Sequence, residues 1–352
     1  MNIRPFKELG LRVQLLCAAA FCFALLATSF FFLFSAPACA GDNCTEQHLI
    51  LANGTSFRSA AKALESAGVV RSSTGFEIYA LLKGQRDAIK SGEYAFDGES
   101  GLSAVLAKLV AGDVKRYSIT LVEGKTINQF LETLHKAEAL DPILRDSSDA
   151  QLLDAVNSFA PSVVEQYGAE GLFAPETFIY TRGESDFQIL LRAHQLLTDT
   201  LEEYWSRRKI ALPLNTPYDA LILASIIERE SALEAERERI AGVFVNRLNA
   251  GMRLQSDPTT IYGLGDEFDG RLTREQLNTV TPYNTYKIDG LPPTPISSAS
   301  NASLRAALNP ELHEFYYFVA DGKGGHVFSK TLEEHNVAVA NYRRRENTAN
   351  PN

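Results

Sequence analysis

The sequence predicts an α+β protein behind one N-terminal transmembrane helix, with a small mixed unit followed by a mainly helical unit that has a loop-rich, partly β wall. Three observations carry this. Leu15 to Phe34 contains no charge; residues 50–122 mix helix-period and alternating segments; and a long helix-period region gives way after Leu254 to Pro- and Gly-rich turns and a hairpin pattern. Along the chain these become a cytoplasmic tail (1–12), a transmembrane helix (13–36), a linker (37–49), the small unit (50–122), a helical intermediate region (123–213), the main unit (214–342) and a polar tail (343–352).

At helical rise the uncharged run is about 30 Å long, enough to cross a bilayer's hydrocarbon core. Arg4, Lys7 and Arg12 precede it, and the first charges after it are Asp42 and Glu46. Positive-inside bias therefore puts the N-terminus in the cytoplasm and the remainder outside. A cleaved leader is the competing reading, because Ala38-Cys39-Ala40 before Gly41 fits a signal-peptidase site. The run exceeds the roughly 7 to 15 apolar residues of a usual leader, which favours a retained helix. Cys17 and Cys22 lie in the run and Cys39 and Cys44 just beyond it, with none after residue 44, so thiol catalysis and zinc–thiolate sites are excluded from the globular part. Cys39 and Cys44 either bridge in an oxidising compartment or stay free.

Of the 352 residues, 45% are hydrophobic and 22% charged, the usage of a folded globular chain. The net charge of −9, with both signs interspersed, offers no basic face to a phosphate backbone, so nucleic acid is not expected as a partner. Residues 57–66 form an amphipathic helix ended by Gly68, and 76–83 a second closed by Gly84. Residues 91–96 alternate like a strand, 102–110 return to helical period before Gly112, and 117–122 form another strand. From Ile127 to about Leu212 the pattern is helical, interrupted by the turn-rich stretch 171–177. Thr216-Pro217-Tyr218-Asp219 combines a capping box with a proline suited to the first helical position, so a helix starts there and reaches Glu230. A second helix runs through Ile240, Phe244 and Leu248 to Gly251. Turns dominate from Leu254, residues 315–320 form a strand, 321–325 a hairpin turn into 326–328, and the tail from Arg343 frays.

On a helical wheel Glu230 lies beside Leu223, Ile226 and Ile227, the most apolar face, while Glu228 points about 160° away. A carboxyl among apolar neighbours near a helix C-terminus is penalised when charged, so its pKa rises, as a general acid requires. The competing reading is a Glu230 that faces solvent or pairs with Arg229, Arg237 or Arg239.

The segment 224–231 (ASIIERES), then 242–248 (GVFVNRL), then 251–263 (GMRLQSDPTTIYG) resembles the endolytic murein transglycosylase family (MltG, YceG-like). Further matches are 121–124 (LVEG), 282–286 (PYNTY), 290–293 (GLPP) and 317–326 (YFVADGKGGH). The resemblance covers roughly residues 50 to 340 and is strongest in the last 130. It implies a LysM-like small unit at 50–122, a catalytic domain at 214–342, an inner-membrane anchor with a periplasmic catalytic part, peptidoglycan glycan strands as substrate and cell-wall synthases as neighbours. It also implies that Glu230, the glutamate followed by serine, is the catalytic residue rather than Glu228.

By that resemblance Glu230 protonates the oxygen between N-acetylmuramic acid and N-acetylglucosamine. It then takes the proton of the muramic acid C6 hydroxyl as that group closes on C1. One carboxylate suffices because the nucleophile is in the substrate. Amide, hydroxyl and aromatic side chains suit sugars, which makes Gln255, Ser256, Asp257, Thr259, Tyr262, Asn284 and Tyr286 candidates for lining the groove. Glu228 either binds sugar or orients the loop of Glu230, a solvated helix position being its plainer reading, and Glu176 supports a turn. A muramidase using Asp257 or Glu228 as second carboxylate is one rival; a non-catalytic cell-wall-binding scaffold is another. The six histidines show no ligand spacing, so neither metal nor cofactor is expected, and the absence of a GxSxG elbow or a phosphate-cradling loop argues against acyl transfer and nucleotide chemistry.

Overall fold

The computed structural model describes residues 46–97, 101–144, 150–156, 161–231 and 233–349, together with 13, 16–25 and 28 of the apolar run. The cytoplasmic tail, parts of the expected transmembrane segment, Cys39 and Cys44 lie outside the described residues. Among the described residues no helix is long and apolar enough to cross a membrane. The chain forms two compact units, the first ending at Tyr117 and including Thr181–Gly183, the second comprising Ser118–Tyr180 and the chain from Glu184.

In the first unit β1 (Gln47–Leu51) pairs antiparallel with β2 (Gly92–Phe96), Gln47 opposite Phe96 and Leu51 opposite Gly92. Two helices connect them, α1 (Phe57–Ser66) and α2 (Ser73–Leu82), capped by the hydroxyls of Ser56 and Ser72. The second starts three residues before the expected Phe76, because the Ser72 cap satisfies the amide of Gly75. With α3 (Leu102–Ala111) they enclose a core around Phe57, Leu64, Phe76, Tyr94, Phe96 and Leu106. β1 occupies a stretch expected to be mostly linker; its alternation is only five residues long.

The second unit is built on helices. β3 (Arg116–Thr120) pairs with β4 (Thr177–Thr181), a strand within the region expected to be helical. Between them lie α4 (Ile127–His135), α5 (Ala150–Val156) and α6 (Pro161–Tyr167), and after them α7 (Asp186–Ser206). α8 (Pro217–Glu230) carries the anticipated capping box between Thr216 and Asp219, with proline in its first turn. It packs against α7, against α9 (Glu234–Asn249), against α10 (Asp257–Leu264) and most extensively against α12 (Asn301–Leu308).

The wall after Leu254 is more helical than expected. Asp257-Pro258 opens α10 instead of making a turn, since proline is accommodated where the amide has no intrahelical partner, and α11 (Arg274–Asn278) follows under its own Thr273 capping box. The hairpin of β5 (Tyr317–Ala320) and β6 (His326–Ser329) is antiparallel, Ala320 opposite His326. The segment leading to it packs on α9 at Gly242, where a Cβ would lie 2.4 Å from the Glu311 carbonyl oxygen and 2.5 Å from His313 Nε2. α13 (Leu332–Ala349) keeps most of the expected polar tail helical, its early turns packed against β5 and β6.

Candidate active site

α8 differs from the wheel in an instructive way. Every residue from Ala220 to Glu228 is buried, so the helix is enclosed on all sides rather than amphipathic. What opens Glu230 to the outside is its place at the end of α8. The helix stops there because Ser231 is extended.

Two residues apart, the glutamates of this last turn have opposite environments. Glu228 is 9% exposed, and its Oε1 accepts from Arg237 Nη2 of α9 at 2.9 Å. Its Oε2 accepts from the Ser300 amide at 2.8 Å and the Ser300 hydroxyl at 2.5 Å, at the start of α12. It ties three helices together and is not the solvated position expected, nor is its carboxylate free to bind sugar. Arg229 donates to the Gly124 carbonyl and Arg239 to Glu311, so none of the three arginines considered as partners pairs with Glu230.

Glu230 is half-buried, and its carboxyl accepts one hydrogen bond among the described residues, from Ser256 Oγ to Oε1 at 2.5 Å. Ser256 stands at the N-cap of α10, where a serine hydroxyl ordinarily accepts from the helix's first turn, yet it makes no cap bond. Its hydroxyl is turned to Glu230 instead. The backbone before it is held for this purpose: Gln255 is left-handed, φ 52°, its amide donates to the Thr285 carbonyl, and the Ser256 amide donates to the Thr285 hydroxyl at 2.9 Å. A non-glycine residue in that conformation is strained, and such strain concentrates at functional sites.

Enclosure pushes the Glu230 carboxyl up to about 7; the Ser256 hydrogen bond opposes this, the negative charge of Asp257 adds to it, and the positive charges of His326 and Arg247 pull it back. Near neutral pH the group is therefore poised between its two forms. Asp257 Oδ1 accepts from Tyr286 Oη at 2.7 Å, a contact that, with burial, raises the phenol's pKa. Ser256, Asp257 and Tyr286 thus gather about Glu230, with Gln255 next to Ser256 in the chain.

Thr259 and Asn284 do not line a groove. Both are fully buried: Thr259 donates to the Ser256 carbonyl and meets the Thr285 hydroxyl, while the Asn284 amide donates to the carbonyls of Gln276, Leu277 and Thr279. They support the wall from behind. Tyr262 turns to Glu170, donating to Oε2 at 3.3 Å, with its ring edge-on to Tyr283 at 4.9 Å. These three line a cavity of about 1130 Å³ that also includes Gln129, Arg229 and Pro258.

Three features were not anticipated. Glu170, 4% exposed, accepts from the amides of Ile127 and Gly171, and burial pushes its carboxyl up to about 7 against those bonds. Arg247 is buried and donates to the carbonyls of Tyr316, Arg253 and Leu254. His326 pairs with Glu236. A lone charged residue in the apolar stretch Ala169-Glu170-Gly171-Leu172-Phe173 was the one available sequence signal for Glu170. For the other two the signal was only their presence inside matched motifs.

Comparison with known proteins is consistent across sequence and structure. A model of the YceG-like family matches residues 49–341. An endolytic murein transglycosylase of Bacillus subtilis is 30% identical over 316 residues, 86% of each chain. One of Streptococcus pneumoniae is 27% identical over 317 residues, 82% of this chain and 57% of that protein. The crystal structure of a YceG-like protein from Listeria monocytogenes superposes with a TM-score of 0.52 at 28% identity, covering 84% of this chain and 99% of the other.

Proposed function

The chain belongs to the YceG-like family, and from that premise we propose that it is a peptidoglycan lytic transglycosylase that cuts within glycan strands, with Glu230 as acid and base. The observation that carries the reading is the Glu230 carboxyl: enclosed, without an ion pair among the described residues, held at Oε1 by Ser256 and poised near pH 7. With Oε1 occupied, Oε2 is the oxygen left to carry a proton to substrate. It delivers that proton to the glycosidic oxygen between N-acetylmuramic acid and N-acetylglucosamine as the bond to C1 breaks. The C6 hydroxyl of the same muramic acid then bonds to C1 and returns its proton to Glu230, leaving a 1,6-anhydro end. Intramolecular closure makes water unnecessary as a reactant.

The hydrolase rival loses Glu228, whose carboxylate is fully engaged, and rests on Asp257, whose charge acts on Glu230. Product chemistry separates the two. Mass spectrometry of glycan strands incubated with the protein is expected to show anhydro ends, absent with Glu230→Gln; reducing ends lost in Asp257→Asn would instead mean hydrolysis. We place the protein at the outer face of the inner membrane beside cell-wall synthases, tethered by the apolar run from Leu15 to Phe34, with the first unit as a LysM-like glycan holder. The separate hydrophobic core of that unit supports an independent binding role. Alkaline carbonate extraction tests the tether, since a retained helix keeps the chain in the membrane fraction.

A further inference from the structure

Among the described residues the two most exposed large apolar side chains are Ile210, at 97%, and Leu312, at 84%. A lone exposed aliphatic is ordinary on a folded surface. These two sit on segments tied together: the Lys209 amide donates to the Leu308 carbonyl at 3.0 Å, and its ammonium to the Pro310 carbonyl at 2.5 Å. The backbone also keeps each of them out. On either side of Leu312, the Glu311 amide donates to the Glu238 carbonyl at 2.8 Å and His313 Nε2 meets the Arg239 carbonyl at 2.8 Å. With both neighbours bound to α9, Leu312 is left facing solvent. Ile210 is followed by Ala211, which is left-handed at φ 65°. That conformation is strained for a residue with a Cβ and persists only where the fold imposes it.

Cations and the chain's only tryptophan flank this pair. Arg207, Arg208 and Lys209 follow α7 and directly precede Ile210, and from Trp205 to Asn215 the chain carries no carboxylate. Glu203 takes up Arg207 at 2.8 Å, whereas Arg208 Nη1 and the Lys209 ammonium are met by main-chain carbonyls, those of Trp205 and Pro310. The Arg208 guanidinium lies 3.8 Å from the centre of the Trp205 ring, in the last turn of α7. In a chain of net charge −9, positive charge is thus set around protruding hydrocarbon. Aliphatic tips, a tryptophan and cationic heads that keep to water reproduce the layering of a bilayer interface. A protein partner fits less well, since specific protein interfaces bury about 800 Å² on each side and are depleted in lysine. Two aliphatic tips do not offer that area.

We infer that this surface, Ile210 and Leu312 flanked by Trp205, Arg208 and Lys209, docks on an anionic phospholipid membrane: the aliphatic tips enter the acyl boundary and the cations meet headgroup phosphates. The inference goes beyond the tether, and rests on it only in that the tether keeps the chain near lipid. The apolar run holds the chain to the membrane; this contact lays one defined face of the second unit on it. Two aliphatic tips and two cations are too few to anchor a chain by themselves, so the contact is reversible and weakens as salt screens the headgroups.

Because Trp205 is the only tryptophan, its fluorescence reports this surface alone. The test reconstitutes the full chain into phosphatidylcholine vesicles, with or without phosphatidylglycerol, whose brominated acyl chains quench tryptophan on contact. A blue shift and bromine quenching of Trp205 are expected in the anionic vesicles and neither in the neutral ones. Ile210→Ser and Leu312→Ser should each lower the docked-to-free ratio about tenfold, and Lys209→Gln about fivefold. Both aliphatics are exposed, so their replacement should leave the thermal midpoint unchanged. A Trp205 that stays unquenched by bromine and open to aqueous iodide in both kinds of vesicle overturns the inference. So does quenching that is equal with and without phosphatidylglycerol, or that the variants leave unaltered. Carbonate extraction separates this from the tether. A chain released by carbonate yet quenched in anionic vesicles loses the membrane helix and keeps the docking face; a retained chain with an unquenched Trp205 does the reverse.

Discussion

The two sides of the last turn of α8 carry the same residue type two positions apart and use it in opposite ways. On one side Glu228 meets a guanidinium, an amide and a hydroxyl, and all of its charge is answered from α9 and α12. On the other, Glu230 meets one hydroxyl and, among the described residues, is otherwise enclosed without a counter-ion in contact. A satisfied carboxylate holds helices together; one deprived of partners keeps its proton to near neutral pH and can give it away. The difference lies in what surrounds the helix end, and substitutions can break either side separately.

Glu230→Gln gives the largest effect on this comparison. Loss of general acid catalysis lowers cleavage by about 10³-fold or more, while the fold is retained. Quantifying released anhydro ends against the wild type checks it. Activity within tenfold of wild type would place the chemistry elsewhere. Glu228→Gln should do the converse. Removing one member of a buried, hydrogen-bonded ion pair leaves Arg237 without its anion and costs roughly 3 kcal/mol of stability. For a unit of this size that lowers the thermal midpoint by about 6–12 °C, and cleavage measured well below the midpoint should remain within about threefold of wild type. A variant that melts normally but does not cleave would reverse the roles assigned to the two carboxyls.

How much of this contrast was legible beforehand depends on the range of the interactions involved. The start of α8 was readable because Thr216, Pro217 and Asp219 act within one turn. The end of α9 was readable from Gly251, at φ 67°, and the hairpin from the turn residues between β5 and β6. Glu230 was singled out by its apolar neighbours and its motif. Glu228 was misjudged as solvated because its partners Arg237 and Ser300 lie 9 and 72 residues away, and the wheel contains neither. β1 and β4 are five residues each, too short for alternation to outweigh neighbouring helical signals. Asp257-Pro258 matches a turn as well as a helix start, and packing of α10 on α8 decided between them. Arg247, His326 and Glu170 acquire their roles only when segments distant in sequence close around them.

A smaller effect joins the site to the stability of the whole unit. Glu230 and Glu170 are both pushed up to about 7 from an ordinary 4.5, each first by burial. For a carboxyl raised on folding, the native state binds the extra proton between the two values. Its stabilisation is full below about pH 4.5 and is lost as pH rises through about 7. Each group can account for a decline on the order of 2–3 kcal/mol over that window. Thermal midpoints should therefore fall from pH 5 to pH 8, and Glu230→Gln should flatten the fall and melt above the wild type at pH 8. An equal slope in both proteins would show that Glu230 ionises freely and is not poised. Glu170→Gln probes the same slope at a carboxyl that the reaction does not use.

The subtlest contrast concerns Ser256, which occupies a cap position without capping. Replacing a capping serine by alanine usually costs about 1 kcal/mol. Here the hydroxyl is already diverted to Glu230 Oε1, so Ser256→Ala should leave the thermal midpoint almost unchanged. Its effect belongs in the chemistry. The bond from Ser256 favours the Glu230 carboxylate, so its loss lets Glu230 keep its proton to higher pH and shifts the alkaline limb upward. Loss of one hydrogen bond to a developing charge lowers the maximal rate about tenfold, and Ser256→Thr, which retains a hydroxyl, should recover most of it. A midpoint lowered in Ser256→Ala with an unmoved limb would return Ser256 to α10 as an ordinary cap, leaving Glu230 with no oriented oxygen; a moved limb at constant midpoint makes the left-handed Gln255 intelligible, as the backbone strain that aims a hydroxyl away from its helix and onto the acid.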